Sequence, residues 1–235
     1  MDSNVSIVER SPSFLIYANA FAVGTVLMGF EMLGGRYLFP YFGGGSGTWA
    51  GLISTVLVAL TIGYLIGGAL VDRYPSPRVV AVSIAVAGAY LALIPLTADR
   101  LISSILDSVG EGPAGILLAS AALLLVPLSL LGILSPVAVR LLVHSTDEAG
   151  RVAGFVYGIS TIGNVFGTLF TTFVLIPTLG SRNITYLFAA LLGLCAVSLF
   201  LVPKKVVKQP HYPETAATPQ EAEAQPERAP IYLYK

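Results

Sequence analysis

The stretch Gly63-Tyr-Leu-Ile-Gly-Gly-Ala-Leu-Val-Asp-Arg-Tyr-Pro-Ser-Pro-Arg78 closes one long apolar run and opens the next. Gly63 and Gly67 share a helical face at four-residue spacing, with Gly68 beside them. Small residues at that spacing let a neighbouring helix backbone approach closely inside a membrane. The run stops at Asp72-Arg73, turns through Pro75 and Pro77, and restarts at Arg78. An acid and arginines around so short a turn form a compact charge group at a bilayer surface. The plainer reading is a cytoplasmic turn whose arginines only fix topology.

Outward from that stretch, the chain of 235 residues is 55% hydrophobic and 11% charged. A soluble domain carries roughly 25% charged residues. So few charges cannot cover a globular surface, and the apolar runs reach the ~20 residues needed to cross a bilayer. The composition is that of an all-α integral membrane protein. A formal net charge of zero gives no electrostatic case for nucleic acid. Cys195 stands alone in an apolar run and reads as a packing residue; His144 and His211 lie far apart, so neither a metal site nor a cofactor is expected. The polar start holds Asp2, Glu9 and Arg10 and precedes an apolar run too long for a signal-peptide core, which reads as a retained helix.

Six spanning segments follow, at about 13–38, 46–71, 78–97, 113–143, 152–176 and 183–202. The fourth is long enough to bend at Pro127 and Pro136. Between the third and fourth, Leu101, Ile102, Ile105 and Val109 suggest a segment lying flat in the interface. Residues 1–12 form an N-terminal arm, 13–202 the membrane domain, and 203–235 a tail rich in Pro, Ala, Glu and Gln that is expected to be disordered. One side of the membrane collects Arg10, Arg73, Arg78, Arg140, Arg151, Lys204, Lys205, Lys208, Arg228 and Lys235; the other holds Arg36, Arg100 and Arg182. The positive-inside bias puts both termini in the cytoplasm of a cell (inner) membrane.

Ionisable groups within a span are costly and functional by default. Glu31 reads two ways: as a carboxylate lining a cavity that takes a proton or cation, or as a structural ion pair with Arg36 once the chain unwinds at Gly34-Gly35. Counted from Phe14, Glu31 falls near the far edge of the bilayer core. In the fifth segment Tyr157, Thr161, Asn164, Thr168 and Thr171 make one polar stripe, with Gly154, Gly158, Gly163 and Gly167 as close-approach positions on adjoining faces. Such a stripe lines a path or serves as interhelical hydrogen-bonding glue. Arg140 and Arg151 join Asp72, Arg73 and Arg78 in a cytoplasmic charge cluster. No Ser, Cys or carboxylate group assembles a recognisable catalytic site, so no enzyme activity is expected.

Gly68-x-x-x-Asp72-Arg73-x-x-x-x-Arg78 resembles the loop between helices two and three of major facilitator superfamily transporters. Glu31-Met-Leu-Gly-Gly-Arg36, Pro40-Tyr-Phe-Gly43 and Gly63 to Arg73 together resemble the membrane region of fused transporter/spermidine-synthase-like proteins. Ser135 to Arg140, Gly150 to Tyr157, Thr161 to Gly167 and Val174 to Gly180 agree. The resemblance implies a six-helix unit like one half of a major facilitator fold, built as a three-plus-three inverted repeat. The aminopropyltransferase-like domain that follows in that family has no counterpart in this sequence, so aminopropyl transfer is not expected. The expected function is binding or movement of a small, cationic solute, in a homo-oligomer or with other membrane subunits. The alternative is a non-catalytic assembly subunit, or a membrane anchor for a separately encoded soluble aminopropyltransferase-like partner.

Overall fold

The structure is a computed structural model that describes residues 5–143 and 145–201, with side chains from residue 13 onward except at 146. The tail from 202 and His144 lie outside the described residues. Six helices are long and apolar enough to cross a membrane. We number them α1 (Val5–Phe42), α2 (Ser46–Arg73), α3 (Pro77–Val109), α4 (Pro113–Leu142), α5 (Ala149–Thr178) and α6 (Ser181–Phe200).

Local chemistry sets the ends. α1 and α3 stop at Gly43 and Gly110, which take φ of 69° and 84°. Only glycine enters that region without a Cβ clash, so each ends its helix cleanly. α3 starts at Pro77 behind Ser76, whose Oγ accepts from the Arg78 N–H at 3.3 Å.

α4 and α5 are each interrupted by a π turn, at Ala121–Leu125 and Thr171–Leu175. Each turn ends two residues before a proline, Pro127 and Pro177. A proline inside a helix removes one N–H and crowds the carbonyl four residues back, and widening the preceding turn relieves that clash. In α5 the Ile176 N–H accordingly donates to the Thr171 carbonyl, five residues back. In α4 the Tyr90 hydroxyl donates to the Ala122 carbonyl at 2.5 Å.

Helix packing is duplicated. α1 packs chiefly on α5, α2 on α4, and α3 on α6. Exchanging α1, α2, α3 for α4, α5, α6 leaves this pattern unchanged. Three helices is an odd number, so the second triple starts from the opposite membrane face and the repeat is inverted.

The match extends to single residues. A Cβ at Gly63 would strike the Ser129 carbonyl, and one at Gly163 the Phe21 carbonyl. Gly67 meets the Ile133 backbone and Gly167 the Thr25 backbone. Gly24 abuts Ser160, and Gly132 abuts Leu60 and Gly63. The paired glycines of α2 and α5 stand 100 residues apart, and the partner residues of α1 and α4 108 apart, throughout.

Two expectations need correction. The predicted interfacial segment at 98–112 is, as far as Val109, the continuation of α3, because Ala98 and Ile102 are buried against the bundle and Ile105 packs on it. α1 does not unwind at Gly34-Gly35: these glycines let Leu52, Leu124 and Trp49 approach, and the helix runs on to Phe42. The helical conformation of α1 begins at Val5, eight residues before its span-length stretch at Ser13.

Candidate functional site

Glu31 is 7% exposed. The first span-length helix runs from Ser13 to Phe42, so eleven residues follow Glu31. At 1.5 Å per residue that is roughly 16 Å of further helix, and Glu31 lies well within the span-length stretch rather than at its end. By register it shares a face with Gly24, seven residues before, and lies one turn from Gly34. Gly24 faces Ser160 and Asn164 of α5, while Gly34 faces Leu52 of α2 and Leu124 in the π turn of α4. Glu31 therefore projects between the two helix pairs.

The anticipated ion pair is not formed. Arg36 is exposed, and among the described residues Glu31 makes no hydrogen bond or salt bridge. On an unbroken helix a five-residue spacing aims the two side chains apart. Neither carboxyl oxygen is among the fully occluded atoms without a partner, so both keep some accessible surface. A carboxylate at that depth needs a compensating positive charge, carried by a bound proton or a bound cation.

The polar stripe of α5 divides along its length. Tyr157 and Thr161 are exposed, Asn164 and Thr168 half-buried, and Thr171 fully buried. The hydroxyls of Thr161 and Thr168 donate to the carbonyls of Tyr157 and Asn164 at 2.7 and 3.0 Å. These bonds stay within one helix, so these two threonines are not interhelical glue. Asn164 Oδ1, Thr171 Oγ1 and Thr172 Oγ1 are buried without a partner. Gly29 makes room for Thr171, since a Cβ there would lie 2.7 Å from its Oγ1.

The glycine expectation splits as well. Gly63, Gly67, Gly163 and Gly167 carry close helix contacts, whereas a Cβ at Gly68, Gly154 or Gly158 would meet nothing within 4 Å. Asp72, Arg73, Arg78, Arg140 and Arg151 lie toward one end of the bundle, and among the described residues no side-chain ion pair joins them. Cys195 is buried, as a packing residue should be.

The ties from α1 to α6 were not expected from the sequence. Asn19 Nδ2 donates to Ser198 Oγ at 2.9 Å near one end, and the Tyr37 and Thr185 hydroxyls pair at 2.9 Å near the other. Beyond them Arg182 and Asp99 form a 2.6 Å ion pair, with the Tyr41 hydroxyl 3.5 Å from Asp99. Lone polar residues in apolar runs were the available signal, but each gains meaning only beside its partner.

These features define a class: an all-helical, multi-pass membrane unit with a buried, unpaired carboxylate between duplicated helix pairs. Comparison with known protein families, curated proteins and solved structures finds no match for the chain.

Proposed function

We propose that this chain is a six-helix membrane unit of the spermidine-synthase-like transporter type that binds a small cationic solute at Glu31. The supporting observation is the burial of Glu31 without a cation partner while its carboxyl oxygens keep access. On α5 it is Thr171, packed at Gly29 two residues before Glu31, that comes nearest to its level; Asn164 packs two turns away at Gly24, while Tyr157, Thr161 and Arg36 are exposed. In folds of this kind the site lies between two halves. A six-helix unit therefore works as a homo-oligomer or with a second membrane subunit. The Lys and Arg distribution orients both termini to the cytoplasm of a cell (inner) membrane.

The test is ligand-induced thermal stabilisation of the purified chain against a panel of small amines and alkali cations, with Glu31→Gln as control. Stabilisation by one cation class that Glu31→Gln abolishes supports the reading. A response that Glu31→Gln leaves intact overturns it.

A second reading, an assembly subunit or membrane anchor, is favoured by α5. Only 22% of its spanning window is buried, against 39% or more for the other five. Gentle purification with mass spectrometry separates the two: stoichiometric foreign subunits indicate assembly, and a lone homo-oligomer indicates solute binding.

A further inference from the structure

α3 and α6 cross with small residues between them, at Gly88 against Leu192 and Ala189. Their outer surface forms a groove of about 580 Å³, lined chiefly by Ala85, Gly88, Ala92, Ala189, Gly193 and Val197. Tyr186 and Phe200 also line it, toward its two ends. Its wall is almost wholly apolar and lies along spanning helices, so an occupant comes from within the bilayer.

Charge stands directly above the groove. Ala85, Ala92 and Asp99 fall seven residues apart on one face of α3. Arg182, Tyr186, Ala189 and Gly193 follow one face of α6 at spacings of four, three and four. The Asp99–Arg182 ion pair therefore caps the groove at the end where α6 begins. A polar hollow of about 460 Å³ adjoins it, lined by Asp99, Arg100, Ser103, Ser104, Asp107 and Ser108. α3 has 33 residues, about 50 Å of helix, and reaches past a ~30 Å apolar layer at that end. The arrangement is an open polar shelf on α3 over an apolar trough.

We propose that this face binds one zwitterionic phospholipid bearing a primary ammonium, with an acyl chain in the groove and the headgroup on Asp99 and Arg182. An exposed ion pair adds little to stability, so its charges are free to be shared. The guanidinium has five N–H donors, and the Asp99 bond uses Arg182 Nη2, which leaves others for a phosphate. The Asp99 carboxylate accepts from the ammonium. An acidic headgroup leaves Asp99 facing a like charge, and a trimethylated ammonium has no hydrogen to donate. A bare stripe of alanine and glycine would suit a second helix equally well. The paired opposite charges at its head select the lipid.

The experiment is native mass spectrometry of the full chain taken from bilayers of equal phosphatidylethanolamine, phosphatidylcholine and phosphatidylglycerol. The wild type should retain phosphatidylethanolamine severalfold over the other two. Gly193→Leu fills the trough, and a Cβ there meets nothing within 4 Å, so the fold tolerates it. Retention should fall severalfold in Gly193→Leu and persist in Gly158→Leu, an equally open glycine on α5. Asp99→Asn should keep a bound lipid while losing the headgroup preference. Retention independent of headgroup, or unchanged in Gly193→Leu, overturns the proposal. So does a wild-type dimer that Gly193→Leu dissociates, which would show that a helix occupies the groove.

Discussion

Thr61-Ile-Gly-Tyr-Leu-Ile-Gly67 in α2 and Thr161-Ile-Gly-Asn-Val-Phe-Gly167 in α5 make the same two close approaches, one to α4 and the other to α1. Even the threonines behave alike, each donating to the carbonyl four residues back at 2.8 and 2.7 Å. Around that shared seam the helices diverge. Between the glycines α2 carries Tyr64 where α5 carries the half-buried Asn164, whose Oδ1 has no partner. The residue of α4 that corresponds to Glu31 of α1, 108 positions on, is Val139. Packing positions are repeated and the candidate chemistry is not. A repeat that folds by one rule in both halves is free to vary wherever backbones do not touch, so residues that break it are where function is to be sought.

The largest effect should come from the seam itself. Gly63→Val and Gly163→Val each drive a side chain into an opposing backbone carbonyl, which no rotamer change relieves. Overpacking of this kind costs about 3 kcal/mol. Thermal unfolding in detergent should show both variants destabilised by similar amounts. A large loss for one and none for the other would break the equivalence of the two helices.

The side-chain pairs that tie α1 to α6, whose place in the other half is taken by the Tyr90–Ala122 bond from α3 to α4, should matter less. Tyr37→Phe deletes the bond to Thr185, and Asn19→Leu the bond to Ser198. Interhelical hydrogen bonds in membranes average about 0.6 kcal/mol and reach about 1.7 kcal/mol. Thr185 also donates to the Ser181 carbonyl at 2.8 Å, so Tyr37→Phe leaves no orphaned hydroxyl and should fall at the low end. Unfolding of the two variants and their double mutant should show additive losses, since the sites lie at opposite ends of α1.

Glu31→Gln sharpens the contrast from the chemical side. With no ion pair to lose, stability should change by less than about 1 kcal/mol. A loss of several kcal/mol on the same unfolding assay would mean that the carboxylate has a structural partner after all, as expected for breaking a buried ion pair.

Much of the fold was legible because a bilayer imposes length: six apolar runs became six helices, with ends shifted by a few residues at most places. The exceptions have physical causes. α3 runs on past Thr97 although its outer turns carry charges, because Ala98 and Ile102 keep one face against the bundle. α1 passes Gly34-Gly35 because glycine there serves side-chain approach rather than a break. Gly163 and Gly167 could be marked as packing residues from sequence, but Gly154 and Gly158 have the same spacing and touch nothing. Spacing defines a face and does not say which face has a neighbour. Glu31 was visible as an intramembrane acid, while its lack of a partner depends on where Arg36 points. The seam did leave a signal in the sequence, the Thr-Ile-Gly-x-x-x-Gly that recurs 100 residues on, and internal similarity of that kind marks both close-approach helices at once.

The smallest predicted change bears on what lies outside the bundle. Gly158→Ala adds a methyl to an open stretch of α5 and replaces glycine inside a helix, which should leave stability unchanged or raise it by about 0.5 kcal/mol. That holds when the free face of α5 meets only lipid, whose chains yield to a methyl group. A subunit packed on the Gly154–Gly158 stripe at backbone distance would not yield. Size-exclusion mass measurement of Gly158→Ala and of the bulkier Gly158→Leu therefore separates the two surroundings. An unaltered assembly in both variants makes α5 a lipid-facing helix, with α2 and α5 alike outside the seam. Loss of a partner or of a second copy, graded from Ala to Leu, would show that α5 uses glycines twice, once to build the bundle and once to join it to something else.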